Sequence, residues 1–268
     1  LPAASKVEAA SAKNVTMYVG ESLDLGYANS EIKNLKTTNK KVVKAGTFKR
    51  YSYKHSYIEA KKTGKATVTF KRFRKTYTFN IKVKKAKFNV TAQQIGKTSR
   101  ILLAIQNNTK QTFEKVNVRY TVRNASGSIV AVQNEEAIDV QAKSTAYLEV
   151  YSGVSSEVYE AGITCTATVT PLLHQLLGKY TNVSNKIQIA NEAKNGKNVD
   201  ITYMNNNTKT SYTDGCIYVI FYDAAGQVAG FDYTTLYIDK GTTNTRTFYG
   251  PYDGYASYKV VVNAWCWK

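Results

Sequence analysis

Between Tyr57 and Lys85 apolar and polar residues alternate so strictly that the stretch reads as a β-hairpin with one buried and one wet face. Ala66, Val68 and Phe70 share one parity on the first arm, and Tyr77, Phe79, Ile81 and Val83 share one on the second. Lys, Thr and Asn fill the positions between them, which is the period of a half-buried strand. The same stretch concentrates charge. Its turn carries Lys71, Arg72, Arg74 and Lys75 around Phe73, and Lys61, Lys62, Lys65, Lys82, Lys84 and Lys85 flank it. Such a strand pair holds a core with one face and displays a basic tip.

The rest of the chain agrees with the hairpin in class. Val, Ile, Thr and Tyr are plentiful, Pro is scarce, and no long stretch repeats apolar residues with the helical period, so an all-β fold is expected. At 268 residues there is room for two or three domains. The net charge of +18 is uneven: residues 1–85 hold 20 Lys and Arg against 5 Asp and Glu, while residues 86–268 hold 17 against 14. A basic first third points to a polyanionic partner. The competing reading is a lysine-rich face that only keeps an extracellular protein soluble. No apolar run approaches the roughly 18 residues that a membrane-spanning helix needs, so membrane insertion is not expected. The opening LPAASKVEAAS, with small residues and the Val7–Ala9 step, resembles the end of a signal peptide, so residues 1–11 are expected to be its remnant or a disordered N-terminus. Neither an LPxTG sorting motif nor an N-terminal lipoprotein Cys is present to anchor the chain.

Residues 12–85 form a first unit with recognisable blocks. Val15–Val19 and Leu23–Leu25 alternate around the turn Gly20-Glu21-Ser22, Leu35-Lys36-Thr37-Thr38-Asn39 leads to Val42-Val43, and Ala60-Lys61-Lys62-Thr63-Gly64-Lys65-Ala66-Thr67-Val68 follows. Together these resemble the bacterial immunoglobulin-like group 2 family, with Leu35 standing where the family carries Trp. Gly64 is the turn position expected to need positive φ. The resemblance implies a stalk or adhesive module of a bacterial surface protein. Beyond Lys87 the chain repeats. Asn107-Asn108-Thr109-Lys110 recurs as Asn206-Asn207-Thr208-Lys209 at a shift of 99, and 118–127 meets 217–226 at the same shift. Val140–Ser144 meets Ile238–Thr242 at a shift of 98, so the chain reads as a duplicated sandwich domain with copies at 88–190 and 191–268. Polar linkers are expected at 84–87 and 191–196. In both copies an Asx side chain, Asn124 or Asp223, should cap a turn whose Gly127 or Gly226 takes the left-handed position. Val219–Asp223 followed by Ala224-Ala225-Gly226 resembles the FxLYD family, immunoglobulin-like modules of secreted Gram-positive proteins. The expected architecture is therefore three tandem immunoglobulin-like β-sandwich domains. A Leu-rich insertion, 171–178, reads as a short helical turn or loop, and its leucines, Leu172 to Leu177, as a core cap or a protein contact.

Templates for chemistry are absent. The two histidines, His55 and His174, fall in different units, and no CxxC, HExxH, EF-hand, P-loop or GxSxG occurs, so no metal, cofactor or nucleophile site is expected. The 19 acids are scattered and the expected fold offers no enclosed cleft for a carboxylate pair, so the reading is of a protein that is not an enzyme. Candidate polyanion ligands are Lys71, Arg72, Phe73, Arg74 and Lys75 on one turn, with Lys49, Arg50 and Lys54 on the neighbouring RYSYKHSY segment. An anionic cell-wall polymer or a sulfated glycan suits them. The adjacent aromatics would also suit single-stranded nucleic acid, which secretion disfavours. Two alternatives stay open: a structural spacer or assembly subunit without its own ligand, and carbohydrate binding by the tyrosines and tryptophans of the last domain. Cys165 is expected to pack as a small hydrophobe. Parity puts Cys216 away from its domain's core and Cys266 with Val260, Val262 and Ala264, so free thiols are expected rather than a disulfide.

Overall fold

The computed structural model describes residues 12–27, 32–50, 53–73, 75–173, 180–208 and 212–267. The expected N-terminal remnant, Arg74, residues 174–178 of the insertion and Lys209 lie outside them. The fold is all-β and sandwich-type: the described residues run through twenty strands, one five-residue helix α1 (Ser156–Glu160) and a single 3-10 turn. The insertion was the one place where helix was expected, yet Pro171–Leu173 are strand. The helix sits elsewhere, after Ser155.

The chain divides into two compact units, the first made of residues 1–87 together with 113–116 and 170–176. Its own strands are β1 (Lys13–Tyr18), β2 (Ser22–Tyr27), β3 (Ile32–Thr37), β4 (Val43–Arg50), β5 (Tyr53–Ala60), β6 (Gly64–Arg72) and β7 (Lys75–Lys84). One sheet orders them β1-β7-β6-β3, and β2, β5 and β4 pair in that order opposite it. The alternation read from the sequence becomes the core: Ala66, Val68 and Phe70 meet Phe79, Ile81 and Val83, closed by Val15, Met17, Leu23, Leu25, Val43 and Ile58. Each of these side chains larger than Ala66, taken from water, contributes roughly 1.5–3 kcal/mol before entropy is charged. At the β1–β2 turn Glu21 is fully buried and accepts the Tyr18 N–H at 2.7 Å. Gly64 does take positive φ (+148°), with Val42 where a Cβ would go.

The segments from later in the chain are integral to this unit. Leu173 pairs in parallel with Ser22, and the Phe113 ring meets Tyr18 edge-on with centroids 5.4 Å apart. Gly20 is required there: at φ +97° any Cβ would sit 2.8 Å from the Pro171 carbonyl oxygen.

The second unit is 88–112, 117–169 and 177–268. It holds β8 (Phe88–Gln94), β9 (Arg100–Asn107), β10 (Phe113–Arg123), β11 (Ile129–Val140), β12 (Thr145–Tyr151) and β13 (Thr164–Leu173). Then follow β14 (Tyr180–Asn182), β15 (Ile187–Asn195), β16 (Asn198–Asn205), β17 (Tyr212–Tyr222), β18 (Val228–Asp239), β19 (Thr243–Phe248) and β20 (Ser257–Trp267). The first residues of β10 and the last of β13 are those counted with the first unit. The strand order recurs within this unit. The sheet β12-β9-β8 has its counterpart in β19-β16-β15, and the order β11-β10-β13 in β18-β17-β20, with β14 added beside β20. Buried asparagines mark equivalent corners. Asn107 Nδ2 donates to the carbonyls of Gln111, Val140 and Gln141, and its Oδ1 accepts the Thr109 N–H. Asn205 Nδ2 donates to the Ile238 carbonyl, and its Oδ1 accepts the Asn207 N–H. Asn107 therefore corresponds to Asn205, not Asn206, and the shift here is 98 rather than 99. The shift of 99 holds at the next turn, where Asn124 Oδ1 accepts the Ser128 N–H and Asp223 Oδ1 the Gln227 N–H. Gly127 and Gly226 are left-handed there, as expected. The stretch 191–196, expected as a linker, instead finishes β15 and turns into β16. Val183 and Ile187 pack in one core with Val199, Ile201 and Ile217.

Strand β17 is buried on both faces. Ile217, Val219 and Phe221 enter their own core, while Tyr218 and Ile220 join Val228, Phe231, Ile95 and Leu102 in an apolar seam between the two copies. Two-sided burial is why the run Ile217–Tyr222 is continuously apolar where its counterpart alternates. Cys216 lies against that seam and Cys266 lies in the core with Ala264, on opposite faces of one sheet, and both are free thiols, as is Cys165. Burial pushes the Cys165 thiol up to about 11.

Candidate functional site

Topology gathers the predicted basic residues at one end of the first unit. The β4–β5 hairpin places Lys49 opposite Lys54 and Arg50 opposite Tyr53 next to its tip. From there β5 runs away, the short connection 61–63 reverses the chain, and β6 returns, so the β6–β7 tip lies at the same end. The end of β2 and the start of β3 lie there too, because Tyr27 pairs with His55 and Ile32 with Arg72. Lys71 and Lys75 are exposed and Arg72 is half-buried. The side chains of Lys49, Arg50 and Lys54, and all of Arg74, lie outside the described residues. Phe73 stands at the apex, 72% exposed, with the Arg72 guanidinium carbon 5.8 Å from its ring centroid. Its φ of 53° is left-handed, which costs a residue other than Gly roughly 1–2 kcal/mol. A bare phenyl ring held in that conformation among cations is more than the turn requires.

The charge extends well beyond the tip. The four strands of sheet β1-β7-β6-β3 contain Lys13, Lys33, Lys36, Lys65, Lys71, Arg72, Lys75, Lys82 and Lys84, and no Asp or Glu. Cations even face one another across strands: Lys33 opposite Lys71, Lys65 opposite Lys82, Arg72 opposite Lys75. Directly opposed like charges destabilise a sheet by an amount on the order of a few tenths of a kcal/mol each, a cost that a bound anion reverses. Lys65 and Lys82 flank a shallow groove of about 570 Å³ floored by Asn14, Thr16, Thr67 and Asn80. In that floor Asn80 Nδ2 donates to Asn14 Oδ1 at 3.4 Å, and the Thr67 N–H donates to the Thr38 hydroxyl at 2.9 Å. The carboxylates of the facing sheet are engaged locally, Asp24 with His55 Nδ1 and Glu59 with Lys61 Nζ, both at 2.9 Å.

Sequence reasoning found the hairpin cations but missed Lys33 and Lys36, which join the face only because β3 pairs with β6. The signal available was the absence of any acid from all four segments. The aromatic residues of the last domain are not brought into one platform. Tyr218 is buried with Phe231 in the seam, Tyr255 and Tyr258 pack on Phe221, and Tyr237, Tyr249 and Tyr252 are exposed. The side chain of Trp267 lies outside the described residues. Of the leucines read as a contact patch, Leu172 and Leu173 are half-buried at the end of β13, and Leu176 and Leu177 lie outside the described residues. Among the described residues no helix is long and apolar enough to cross a membrane.

No family model matches the chain, and no curated protein matches it. Similar solved structures include Salmonella alpha-2-macroglobulin reacted with methylamine, at 9% identity and TM-score 0.20 over 94% of this chain and 22% of that one. The chain thus spans about a fifth of that protein. Others are the titin I-band fragment I67–I69, at 11% identity and TM-score 0.16 over 94% of each chain, and the ICAM-5 D1–D4 ectodomain fragment, at 9% identity and TM-score 0.16 over 93% of this chain and 74% of that one. The fold itself rests on the strand pairings given above.

Proposed function

We propose that this chain is a non-catalytic, secreted or cell-surface binding module that holds a polyanion on its first unit, a reading in keeping with its resemblance to bacterial immunoglobulin-like group 2 and FxLYD domains. The observation that carries it is the sheet β1-β7-β6-β3, whose strands hold nine Lys and Arg and no carboxylate, with Lys33, Lys36, Lys65, Lys71, Lys82 and Lys84 on the face away from the core. Anionic wall polymers and sulfated glycans fit such a face, because repeated charges along an extended chain can follow cations spread over a sheet. Phe73 adds an apolar contact at the edge. Binding arises from counterion release and charge-assisted hydrogen bonds, so it weakens steeply with salt.

The test is retention of the full chain on a heparin-type resin and on purified bacterial wall across a salt gradient. The full chain is used because residues 113–116 and 170–176 complete the first unit. Replacing Lys71, Arg72, Arg74 and Lys75 together by Ser should leave the circular dichroism unchanged and move elution to clearly lower salt. Adding Lys65→Ser and Lys82→Ser should move it further. Unchanged elution of the six-site variant removes this reading and leaves a spacer without its own ligand.

A further inference from the structure

The outward face of the sheet β1-β7-β6-β3 is ordered in rows that run across its strands. Lys65 lies opposite Lys82, and Lys82 opposite Thr16. In the next row Thr67 lies opposite Asn80 and Asn80 opposite Asn14, and beyond it Thr69 lies opposite Thr78. The last row sets Lys33 opposite Lys71 and Lys71 opposite Thr76. Lys65 and Lys71 are six residues apart on β6, a separation of about 20 Å. Cations therefore stand at the two ends of the face, and its middle is polar and uncharged except for Lys36 at the β3 side, opposite Thr69.

The middle is linked across strands. Thr67 Oγ1 donates to Asn80 Oδ1 and Asn80 Nδ2 to Asn14 Oδ1, both at 3.4 Å, so a ladder of side chains spans β6, β7 and β1. Bonds of that length are weak and exchange readily for those of a ligand. Asn is depleted from strands, yet two stand side by side here, both exposed on the wet face where the core makes no demand for them. Solubility asks for charge, not for a central row of amides and hydroxyls. This ladder floors the groove of about 570 Å³ that Lys65 and Lys82 border. Among the described residues neither lysine has a carboxylate partner.

We propose, resting on the polyanion reading above, that the polymer held on this face is an acidic polysaccharide whose charged sugars are separated by neutral ones. Amides and hydroxyls both donate and accept hydrogen bonds, as sugar hydroxyls do, whereas phosphate, sulfate and ionised carboxylate only accept. Neutral sugars over the central rows exchange hydrogen bonds in both directions. Their acidic neighbours reach Lys65 and Lys82 at one end of the face and Lys33 and Lys71 at the other. A polymer charged at every unit would set acceptor against acceptor at the Asn14 and Asn80 amide oxygens, with no cation between them. Single-stranded nucleic acid would also need aromatic faces, and these rows hold none.

The experiment is calorimetric titration of the full chain with a hyaluronan decasaccharide, in which carboxylates alternate with neutral sugars, and with pentaglutamate and a short polyphosphate of matched charge. The decasaccharide should bind at least tenfold tighter than either. Asn14→Ala together with Asn80→Ala should weaken it at least fivefold and leave the salt dependence unchanged, because no charge contact is lost. Lys65→Ser together with Lys82→Ser should weaken all three ligands and flatten the salt dependence. The ligand comparison uses the unaltered chain, so it decides even if a variant fails to fold. Equal or tighter binding of pentaglutamate or polyphosphate overturns this inference while the polyanion reading stands, as does a double alanine variant that binds the decasaccharide as the unaltered chain does. Lysine changes that leave every ligand unaffected, or no saturable binding of any ligand at millimolar concentration, remove both.

Discussion

At the scale of single residues the most telling is Phe73, because its backbone and its side chain want different things. Left-handed φ belongs to Gly, and after it to Asn and Asp, yet the β6–β7 turn spends that conformation on a large apolar ring that is mostly exposed. Folding gains little from it. The expected outcome of Phe73→Asn is an unchanged or higher stability, by up to about 1 kcal/mol, together with earlier elution from the polyanion resin. Thermal unfolding and the salt gradient on one preparation read both. A variant that loses stability and keeps its retention shows that Phe73 serves the turn and not the ligand. The buried asparagines show the reverse economy. Asn107 and Asn205 each bond backbone across a corner, work no apolar residue can do, so a polar group is kept inside both copies for folding alone.

At the scale of elements the sequence told period and parity, and the structure told which strands meet. Alternation placed β6 and β7 and the face each buries, and parity put Cys216 and Cys266 on opposite sides of their sheet. Pairing between distant strands leaves no periodic trace, which is why Lys33 and Lys36 on β3 were not joined to the basic face. The repeat register slipped by one at Asn107 because the connection between β16 and β17 has one residue more than that between β9 and β10. Matching the NNTK letters absorbed the extra residue in the wrong place. The run 191–196 reads as a linker because it is polar, but its residues are exposed at the end of β15, an edge strand of the sheet β15-β16-β19, where polar and charged side chains guard a free edge. Gly215 is a pairing requirement of this hidden kind. Its φ is +149°, and a Cβ would overlap the Asn263 carbonyl oxygen and sit 2.7 Å from the Ala264 Cα, so β17 and β20 could not keep their register. Gly215→Ala should cost about 3 kcal/mol. Gly226→Ala, at a left-handed turn open to solvent, should cost only about 1 kcal/mol. Both tryptophans lie on β20, so urea unfolding followed by their fluorescence reports this unit. Equal losses for the two variants contradict the close approach of β17 and β20.

At the scale of the whole molecule the boundaries of sequence and of packing do not coincide. The repeat and the charge step both divide the chain near residue 87, while the first compact unit also takes in 113–116 and 170–176. What those segments contribute is specific. Phe113 is fully buried and covers Tyr18, Leu173 extends the pairing of β2 at Ser22, and Pro171 occupies the space that Gly20 leaves open. Without them the ring of Tyr18, 8% exposed in the chain, would lose an aromatic neighbour, and the Ser22 end of β2 would offer unpaired backbone for association with another copy. A fragment of residues 1–87 is therefore expected to self-associate or to unfold at lower denaturant than the same residues within the full chain. Sedimentation velocity detects the first outcome and hydrogen exchange across Tyr18–Leu25 the second. The complementary change in the full chain is Phe113→Ala, which should destabilise this unit by about 3–5 kcal/mol and speed exchange in Tyr18–Leu25. A fragment that stays monomeric and protects those amides as well as the full chain does would show that the first unit is complete at residue 87.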